Sequence, residues 1–521
     1  MKDERVTRIR TALISVYKKE GIVALARRLN KMGVEIISSD GTQKTLEKAG
    51  LRPMSVSQIT GFPEMLDGRV KTLHPVIFGG ILHTDSPEHI DQLSRHGIGP
   101  IDLVIVNLYP FEETVAQKDC TLTDAIEKID IGGPSLIRAA AKNFRFKTVI
   151  VDPEQYPELE AELDQHDGGI SESFRFRCAI RAFEHTARYN AVISDYLREQ
   201  EEADHIPGQE FMLAGKKVQD LRYGENPHQK AAFYVTSRKH ALNNYHQLHG
   251  KELSYNNILD LDAALCMVRE HTNEPVTVIV KHNNPCGAAQ DPDPVTSYRK
   301  ALATDPISAF GGIVGLNRII DEKLALEMKE HFFECIIAPE FSEEAIRILT
   351  QKKNLRLVTC DMNEGADRFQ VRTVSGGFLV QSYDDLLIDI RSSKVATKRK
   401  PTDSEWHTLA FAWRLSKHVH SNAIIFARDN QLVGIGAGQM SRVDAAELAI
   451  VKASNTKNVL TGSVVASDAF FPFRDGVDSI AGAGATAIIQ PGGSVRDEEV
   501  IAAADEHNIA MVFSGFRHFK H

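Results

Sequence analysis

TALISV (Thr11–Val16), GIVALARRLNKMG (Gly21–Gly33) and VEIISSDGT (Val34–Thr42) follow one another with only a short polar break. The first is a β run, the second carries apolar residues at helical spacing, and the third is another strand entering a turn. A strand, a crossover helix and a second strand imply a parallel pair, so this stretch makes the first region a parallel α/β sheet. IDLVIVNLYPF (Ile101–Phe111) extends the pattern with a buried, mostly branched run. Asn107 to Phe111 form the loop at its C-terminal end, where open parallel sheets hold ligands. Helical stretches around LTDAIEKI and PSLIRAAAKN and the strand KTVIVD follow.

REQEEADHIPGQEF (Arg198–Phe211) is charged, contains Pro and Gly, lacks periodicity and reads as a linker. Beyond it, PVTVIVKHNNPCG is a strand into a sharp Asn/Pro/Gly loop. NAIIFARDNQLVGIGAGQMSRVDAAELAI is a hairpin with a Gly-rich turn feeding a helix, and GSVVASDAFFPF is a strand into an aromatic loop. The two strand-to-Pro loops, KHNNPCG and SDAFFPF, suggest similarly built halves, without a sequence repeat that proves duplication. The second region is therefore α/β, built as one body or two subdomains.

At roughly 100 to 200 residues per domain, 521 residues make two to four domains. Lys plus Arg number 61 against 70 Asp plus Glu, a net charge of -9 that argues against nucleic acid as a partner. Hydrophobic residues at 42% and charged residues at 25% are ordinary globular usage, which argues against disorder, collagen and coiled coil. No run approaches the roughly 20 apolar residues of a membrane span, and MKDERVTRIR has no hydrophobic signal core. The expected location is cytoplasmic, with no membrane partner. Cys120, Cys178, Cys266, Cys286, Cys335 and Cys360 lie far apart, with no CxxC and no HExxH. Neither structural zinc nor a disulfide framework is expected.

GRVKTLHP (Gly68–Pro75) places Arg69, Lys71, Thr72 and His74 in one loop, a density of cation and hydroxyl that suits phosphate or carboxylate and equally describes a solvated basic turn. SSDGT (Ser38–Thr42) ends a strand in hydroxyls just before a helix, a second anion candidate, although no GxxxxGK[ST] occurs. Tyr109 closes the Ile101 strand; Asp130 in KIDIGGPS and Lys142 in RAAAKN sit among small or apolar residues, where a buried lysine must find a partner or shift its pKa. Lys281 and His282 leave the end of an apolar strand directly before Asn283, Asn284, Pro285 and Cys286. Such a pair suits proton transfer, or is a surface pair. Cys286 lacks the deaminase pattern of HxE followed by PCxxC and reads as a small packed thiol. RYGENPHQ (Arg222–Gln229), SAFGG (Ser308–Gly312), IIAPEF (Ile336–Phe341), SNA (Ser421–Ala423) and GAGQMSR (Gly436–Arg442) are further polar, turn-rich candidates. GAGQMSR does not complete GxGxxG, so NAD is not expected.

Taken in order, GRVKTLHP, NLYPF, DIGGPS, RAAAKN, RYGENPHQ, KHNNPCG, SAFGG, IIAPEF and SDAFFPFRD resemble the bifunctional purine biosynthesis family that joins phosphoribosylaminoimidazolecarboxamide formyltransferase to IMP cyclohydrolase. The resemblance runs from TALISV to the terminal FSGFRHFKH. It implies an α/β fold with a methylglyoxal-synthase-like parallel-sheet domain over 1–205 and a formyltransferase region over 206–521. That region would be two cytidine-deaminase-like subdomains without catalytic zinc. It also implies a homodimer with formyltransferase sites shared at the subunit interface. The first implied reaction moves a formyl group from 10-formyltetrahydrofolate, a co-substrate, to the amine of 5-aminoimidazole-4-carboxamide ribonucleotide. His282 is the implied proton shuttle, Asn422 the orienting group, and Lys281 the oxyanion stabiliser or proton donor to the departing nitrogen. Arg222, Tyr223 and Arg517 resemble nucleotide contacts, and Asn257, Phe310, Gly311, Glu334, Phe471 and Pro472 substrate or folate contacts. Arg442, in GAGQMSR, joins the implied substrate-binding set.

The second implied reaction closes the formylated product to IMP with loss of water and needs no metal. Lys71 would stabilise the formyl oxyanion, with Tyr109, Asp130 and Lys142 positioning groups and moving protons. Ser15, Lys19, Ser39, Arg69 and Thr72 would hold the phosphate or sugar. The chain departs from the family pattern at SVYKKEG, where SVSDKxG is usual, and at Asp40 of SSDGT, where glycine is usual. Tyr17 and Asp40 thus put a ring and a carboxylate beside an expected phosphate. A non-catalytic purine-nucleotide sensor and a dimerisation scaffold are the alternatives; neither needs Lys71, Lys281, His282 and Asn422 together.

Overall fold

Thr11–Val16, Glu35–Ser38, Met54–Ser55, Leu103–Asn107 and Thr148–Ile150 form one sheet in a computed structural model that describes residues 5–66, 69–117, 119–201, 208–236, 242–271, 273–362 and 369–521. Every neighbouring pair in this sheet is parallel, as the opening β-α-β unit requires. Leu103 to Asn107 are all buried, which is why Leu103 to Val106 read as an unbroken apolar run rather than an alternating one. From the central strand Thr11–Val16 the chain steps out through Glu35–Ser38 to Met54–Ser55, then returns to the other flank at Leu103–Asn107. That reversal opens a crevice beyond the carboxyl ends of the two middle strands. Ile22, Leu25, Ala26 and Leu29 form the buried stripe of the first helix, Ile22–Lys31. This sheet belongs to the first of two compact units, which ends at Gly215; the second runs from Lys216 to His521. The expected linker starts inside the last two residues of the helix Glu172–Glu199. Its residues 202–207, with the expected boundary at 205/206, lie outside the described residues, as does Gly68 of GRVKTLHP.

The second unit is built on a twelve-stranded sheet in which the two expected halves are visible. One half runs through edge strand His246–His249, helix Tyr255–Arg269, hairpin Val276–Lys281/Asn284–Gln290 and helix Pro294–Thr304 to strands Ile313–Leu316, Cys335–Ala338 and Arg356–Thr359. The other repeats that order with Lys394–Val395, Asp403–Ser416, Ile424–Arg428/Gln431–Gly436, Arg442–Asn455, Val464–Ser467, Ala487–Gln490 and Ala510–Phe513. In each half the first strand of the hairpin pairs antiparallel with the third strand, and the last three strands are parallel. The halves join where Ala289 pairs with Gln431. On one face Leu261, Leu265 and Val268 share a core with Leu409, Ala412 and Trp413; on the other face each half keeps its own core.

Two loop expectations are corrected. The turn of the second hairpin is Asp429–Asn430, both with left-handed backbones (φ 51° and 55°), the requirement of a type I′ turn. The glycines of VGIGAG lie instead on the strand or beyond it. A Cβ on Gly436 would lie 1.8 Å from the Ala445 carbonyl, and one on Gly287 of the first half 2.1 Å from that of Ala301. These glycines let the following helix press onto the sheet. Likewise the sharp Asn/Pro/Gly loop of KHNNPCG does not include its proline and glycine: only His282 and Asn283 turn (φ 52° and 59°). Pro285 is inside the next strand, tolerated because the register shifts between Ile279 and Val280. Among the described residues, no helix is long and apolar enough to cross a membrane.

Candidate functional site

In the first unit the site forms at the crevice. Ser15 Oγ and Ser39 Oγ, from the ends of adjacent strands, are 2.8 Å apart. Ser39 precedes the helix Asp40–Lys48 and its side chain does not cap it. Lys19 Nζ donates to Thr42 Oγ1 (2.8 Å) and to the Val16 carbonyl. Burial, and then the nearby Lys71 ammonium, push the Lys19 ammonium down. Two cations this close favour an anion between them. Asn107 shapes the loop by accepting the Tyr17 and Lys18 N–H groups at 2.6 and 2.9 Å and donating to the Lys18 carbonyl at 3.1 Å. Two of the three residues that depart from the family pattern, Tyr17 and Asp40, are accommodated beside it. Tyr17 packs edge-on against Tyr109 with centroids 5.5 Å apart. The neighbouring Asp40 carboxyl first, and burial second, raise the Glu64 carboxyl above its usual range. Glu64 also faces Lys71 at 3.7 Å.

Asp130 sits across from these cations. Burial raises its carboxyl, while the Gly133 N–H and then Lys71 pull it back. The Gly133 N–H donates to Asp130 Oδ1 at 2.8 Å. DIGGPS needs both its glycines here. A Cβ on Gly133 would lie 2.5 Å from Asp130 Oδ2, and one on Gly132 2.9 Å from Thr72 Oγ1. Glycine thus lets the GRVKTLHP loop and Asp130 converge at the start of the helix Gly132–Lys142. Thr72 is buried there, whereas Arg69 reaches out to Glu127 on the surface.

Lys142 does not join this group. It ends the same helix, exposed, about 15 Å along the axis from Gly132 at 1.5 Å per residue. The next residues belong to the opposite end of the sheet, where the Thr148 N–H donates to the Asp102 carbonyl. The lysine of this segment that is buried is Lys147, 3.5 Å from Asp102 and 2.7 Å from His83 Nε2; burial pushes its ammonium down.

In the second unit the Lys281 to Asn284 turn is tied to three neighbours. Lys281 Nζ donates to the Phe310 carbonyl at 2.8 Å, which brings the SAFGG loop beside it. Gly311 takes φ 74° and donates to the Phe332 carbonyl, leaving Phe310 65% exposed against the Phe332 ring. Asn284 Oδ1 accepts the His420 N–H at 3.1 Å, so the loop carrying Asn422 abuts the same turn. The third neighbour is Asp260, which accepts the Asn283 N–H at 2.7 Å. Arg222 stacks over Tyr223, and their loop reaches the start of the Tyr255–Arg269 helix through Asn256, which donates to the Glu225 carbonyl. Arg517 is exposed over Phe519, and Glu334 pairs with Arg356 at 2.7 Å. Cys286 is packed as expected, its thiol pushed up by burial to about 12.

Three expected contact residues have structural employment. Arg442 is buried and bonded to Asp468, to Ser467 Oγ (2.9 Å) and, through Nη2, to Asn422 Oδ1 (2.8 Å). Its guanidinium is thus a support for Asn422. Phe471 is wholly buried, its N–H donating to Gln490 Oε1 at 3.3 Å, with Pro472 exposed beside it, so the Phe471 ring is part of the core. Asn257 Oδ1 accepts the Ser254 N–H in a capping box. Among the supporting residues, Thr42 and Asn107 lie in stretches that the sequence singled out, SSDGT and the carboxyl end of the Ile101 strand; Glu64, Asp260 and Asp468 carried no signal in the sequence.

The two halves differ in their hairpin turns. The turn matching His282–Asn283 is Asp429–Asn430, which has neither lysine nor histidine. The family model for the AICARFT/IMPCHase bienzyme matches residues 140–452, and that for the MGS-like domain matches residues 21–135. A solved structure described as "Crystal structure of ForH" is 31% identical, covering 36% of this chain and 97% of its own, with a TM-score of 0.34. With the bienzyme match spanning more than half of the 521 residues and an MGS-like parallel-sheet domain before it, the chain belongs to the AICARFT/IMPCHase bienzyme family, the enzymes that formylate the aminoimidazole carboxamide nucleotide of purine biosynthesis and close the product to IMP.

Proposed function

We propose that the two reactions divide between the two units: formyl transfer around Lys281 and His282, ring closure around Lys71 and Asp130. In the first, 10-formyltetrahydrofolate is the formyl donor. The substrate amine attacks the formyl carbon as His282 takes its proton, relayed through the substrate carboxamide that Asn422 orients. Lys281 stabilises the tetrahedral oxyanion; on collapse the bond to the folate nitrogen breaks and that nitrogen is protonated. Arg222, Tyr223 and Arg517 bind the nucleotide, while Asn257, Phe310, Gly311, Glu334 and Pro472 line the substrate and folate surface. The chain acts as a cytoplasmic homodimer with shared formyltransferase sites.

In the second reaction the carboxamide nitrogen attacks the formyl carbon of the same molecule, and the adduct loses water. Because the reactants are already joined, orientation and charge supply most of the rate. Lys71 meets the oxyanion, Asp130 takes the nitrogen proton, and Tyr109 positions the base. Ser15, Lys19, Ser39, Arg69 and Thr72 hold the phosphate and sugar; Arg69 leaves Glu127 to do so. The observation that carries this reading is that each unit has its own cation and proton acceptor: Lys71 near Asp130 in the first, and Lys281 beside His282 at a strand's end in the second. Lys281→Ala is expected to abolish formyl transfer and spare ring closure of supplied formylated nucleotide; Lys71→Ala does the reverse. Loss of both activities in either folded variant contradicts the division.

A further inference from the structure

We infer that Asp260 is the residue that positions His282, an inference that rests on His282 being the proton shuttle. Asp260 lies one turn beyond Asn257 on the helix Tyr255–Arg269. Its Oδ1 accepts the Asn283 backbone N–H at 2.7 Å. With its nitrogen turned inward, the Asn283 side-chain amide donates to the same oxygen and to the Leu259 carbonyl, both at 3.1 Å. Burial pushes the Asp260 carboxyl up, and the backbone N–H groups of Asn283 and then His282 pull it back. One carboxylate from a separate helix therefore gathers the donors of the turn that carries the shuttle.

The turn needs that help. His282 and Asn283 both hold left-handed backbones, and type I′ turns favour Asn-Gly or Asp-Gly rather than a leading histidine. A residue held in that region persists only where its surroundings fix it. The second half of the unit supplies an internal comparison. Its matching turn is Asp429–Asn430, two residue types that accept left-handed geometry on their own. Counted from the equivalent helix caps, Ser254 and Thr402, the residue in the place of Asp260 is Thr408. The carboxylate is thus found where the turn carries a histidine and is replaced where it does not. Asn284 fastens the other side, donating to the His282 carbonyl at 3.2 Å and accepting from His420. His282 is held between the two fastenings, so a displaced carboxylate re-aims the imidazole without removing it.

The test is steady-state formyl transfer by full-length Asp260→Glu, Asp260→Asn and His282→Ala, with ring closure of supplied formylated nucleotide measured on the same samples. Asp260→Glu moves the acceptor by about one carbon–carbon bond, and misplacement of that size costs up to about 100-fold. The expected result is a kcat about 30-fold lower, a KM for the amine nucleotide within about threefold, and unchanged ring closure. Asp260→Asn keeps an oxygen acceptor and is expected within about fivefold of the parent kcat. A kcat within about twofold for Asp260→Glu, a loss confined to KM, or an Asp260→Asn no better than Asp260→Glu overturns the inference. Should Asp260→Glu fail to fold, Asp260→Ala is judged by the same criteria. His282→Ala separates the two levels. If it retains formyl transfer, the shuttle reading fails and this inference with it; if it is inactive while Asp260→Glu is normal, the positioning role alone fails.

Discussion

Replacing Arg442 with Met takes the cation from a pair whose side chains are 6% and 0% exposed. Asp468 then stays buried with the Ser421 hydroxyl, at 2.6 Å, as its remaining side-chain donor. Removing one partner of a buried ion pair costs about 3–5 kcal/mol, because the other charge is left uncompensated. Replacing both by neutral groups costs far less. The expected result is therefore a loss of about 3–5 kcal/mol in Arg442→Met and recovery of at least half of it in Arg442→Met/Asp468→Asn. The protein carries a suitable probe: its only tryptophans, Trp406 and Trp413, are both on the helix Asp403–Ser416. Denaturant unfolding followed by tryptophan fluorescence reads the second unit. Formyl transfer falls in parallel, since Asn422 Oδ1 loses its 2.8 Å donor. A loss below about 1 kcal/mol with a raised nucleotide KM would refute the reasoning and return Arg442 to the role of ligand.

Three other outcomes follow from the same structure. Glu270 is buried against Lys417 (2.8 Å) and His418 (3.1 Å). Burial alone would raise its carboxyl, but the His418 and Lys417 bonds hold it at about 2, below the ordinary 4.5. Its folded pKa is depressed, so its stabilisation is present above pH 4.5 and is lost as pH falls from there toward 2. Acid titration of the unfolding midpoint is expected to show a drop of up to about 3 kcal/mol in that window, reduced in Glu270→Gln. Gly436→Ala forces a Cβ to within 1.8 Å of a carbonyl oxygen; thermal unfolding is expected to show a loss of about 3 kcal/mol or more. Asp40→Gly removes a carboxylate beside the proposed phosphate subsite, and ring-closure kinetics are expected to show a KM for the formylated nucleotide about fivefold lower, the equivalent of about 1 kcal/mol of repulsion.

The parallel sheet was legible because branched runs such as Leu103–Asn107 and the β-α-β opening report burial directly, residue by residue. The two halves were expected from KHNNPCG and SDAFFPF, which the structure does not make equivalent: SDAFFPF follows the strand that matches Ile313–Leu316, and the halves share strand order and glycine-mediated helix packing at Gly287 and Gly436 while their turn sequences, His282–Asn283 and Asp429–Asn430, differ. Arg442 and Lys142 show the limit of reading motifs one residue at a time. Sequence supplies a cation in a polar loop, but its partner Asp468 is 26 positions away. Lys142 and Lys147 are five residues apart at one helix end, and only the packing around Asp102 and His83 shows that Lys147 is the buried one. Gly132 and Gly133 look like turn residues and instead give Thr72 and Asp130 room to converge. Asp260 was invisible for the same reason as Asp468: its effect is exerted through a turn that begins 22 residues later.

The central claim is that each unit runs its own reaction. The most direct measurement mixes Lys71→Ala with Lys281→Ala, each inactive in the overall conversion, and follows IMP formation from the amine nucleotide and 10-formyltetrahydrofolate by chromatography. Two separable sites predict that Lys71→Ala alone accumulates formylated nucleotide, Lys281→Ala alone makes neither product, and the mixture restores IMP. A mixture of folded variants that leaves the formylated nucleotide unconverted above its uncatalysed rate, or makes none, would contradict the account.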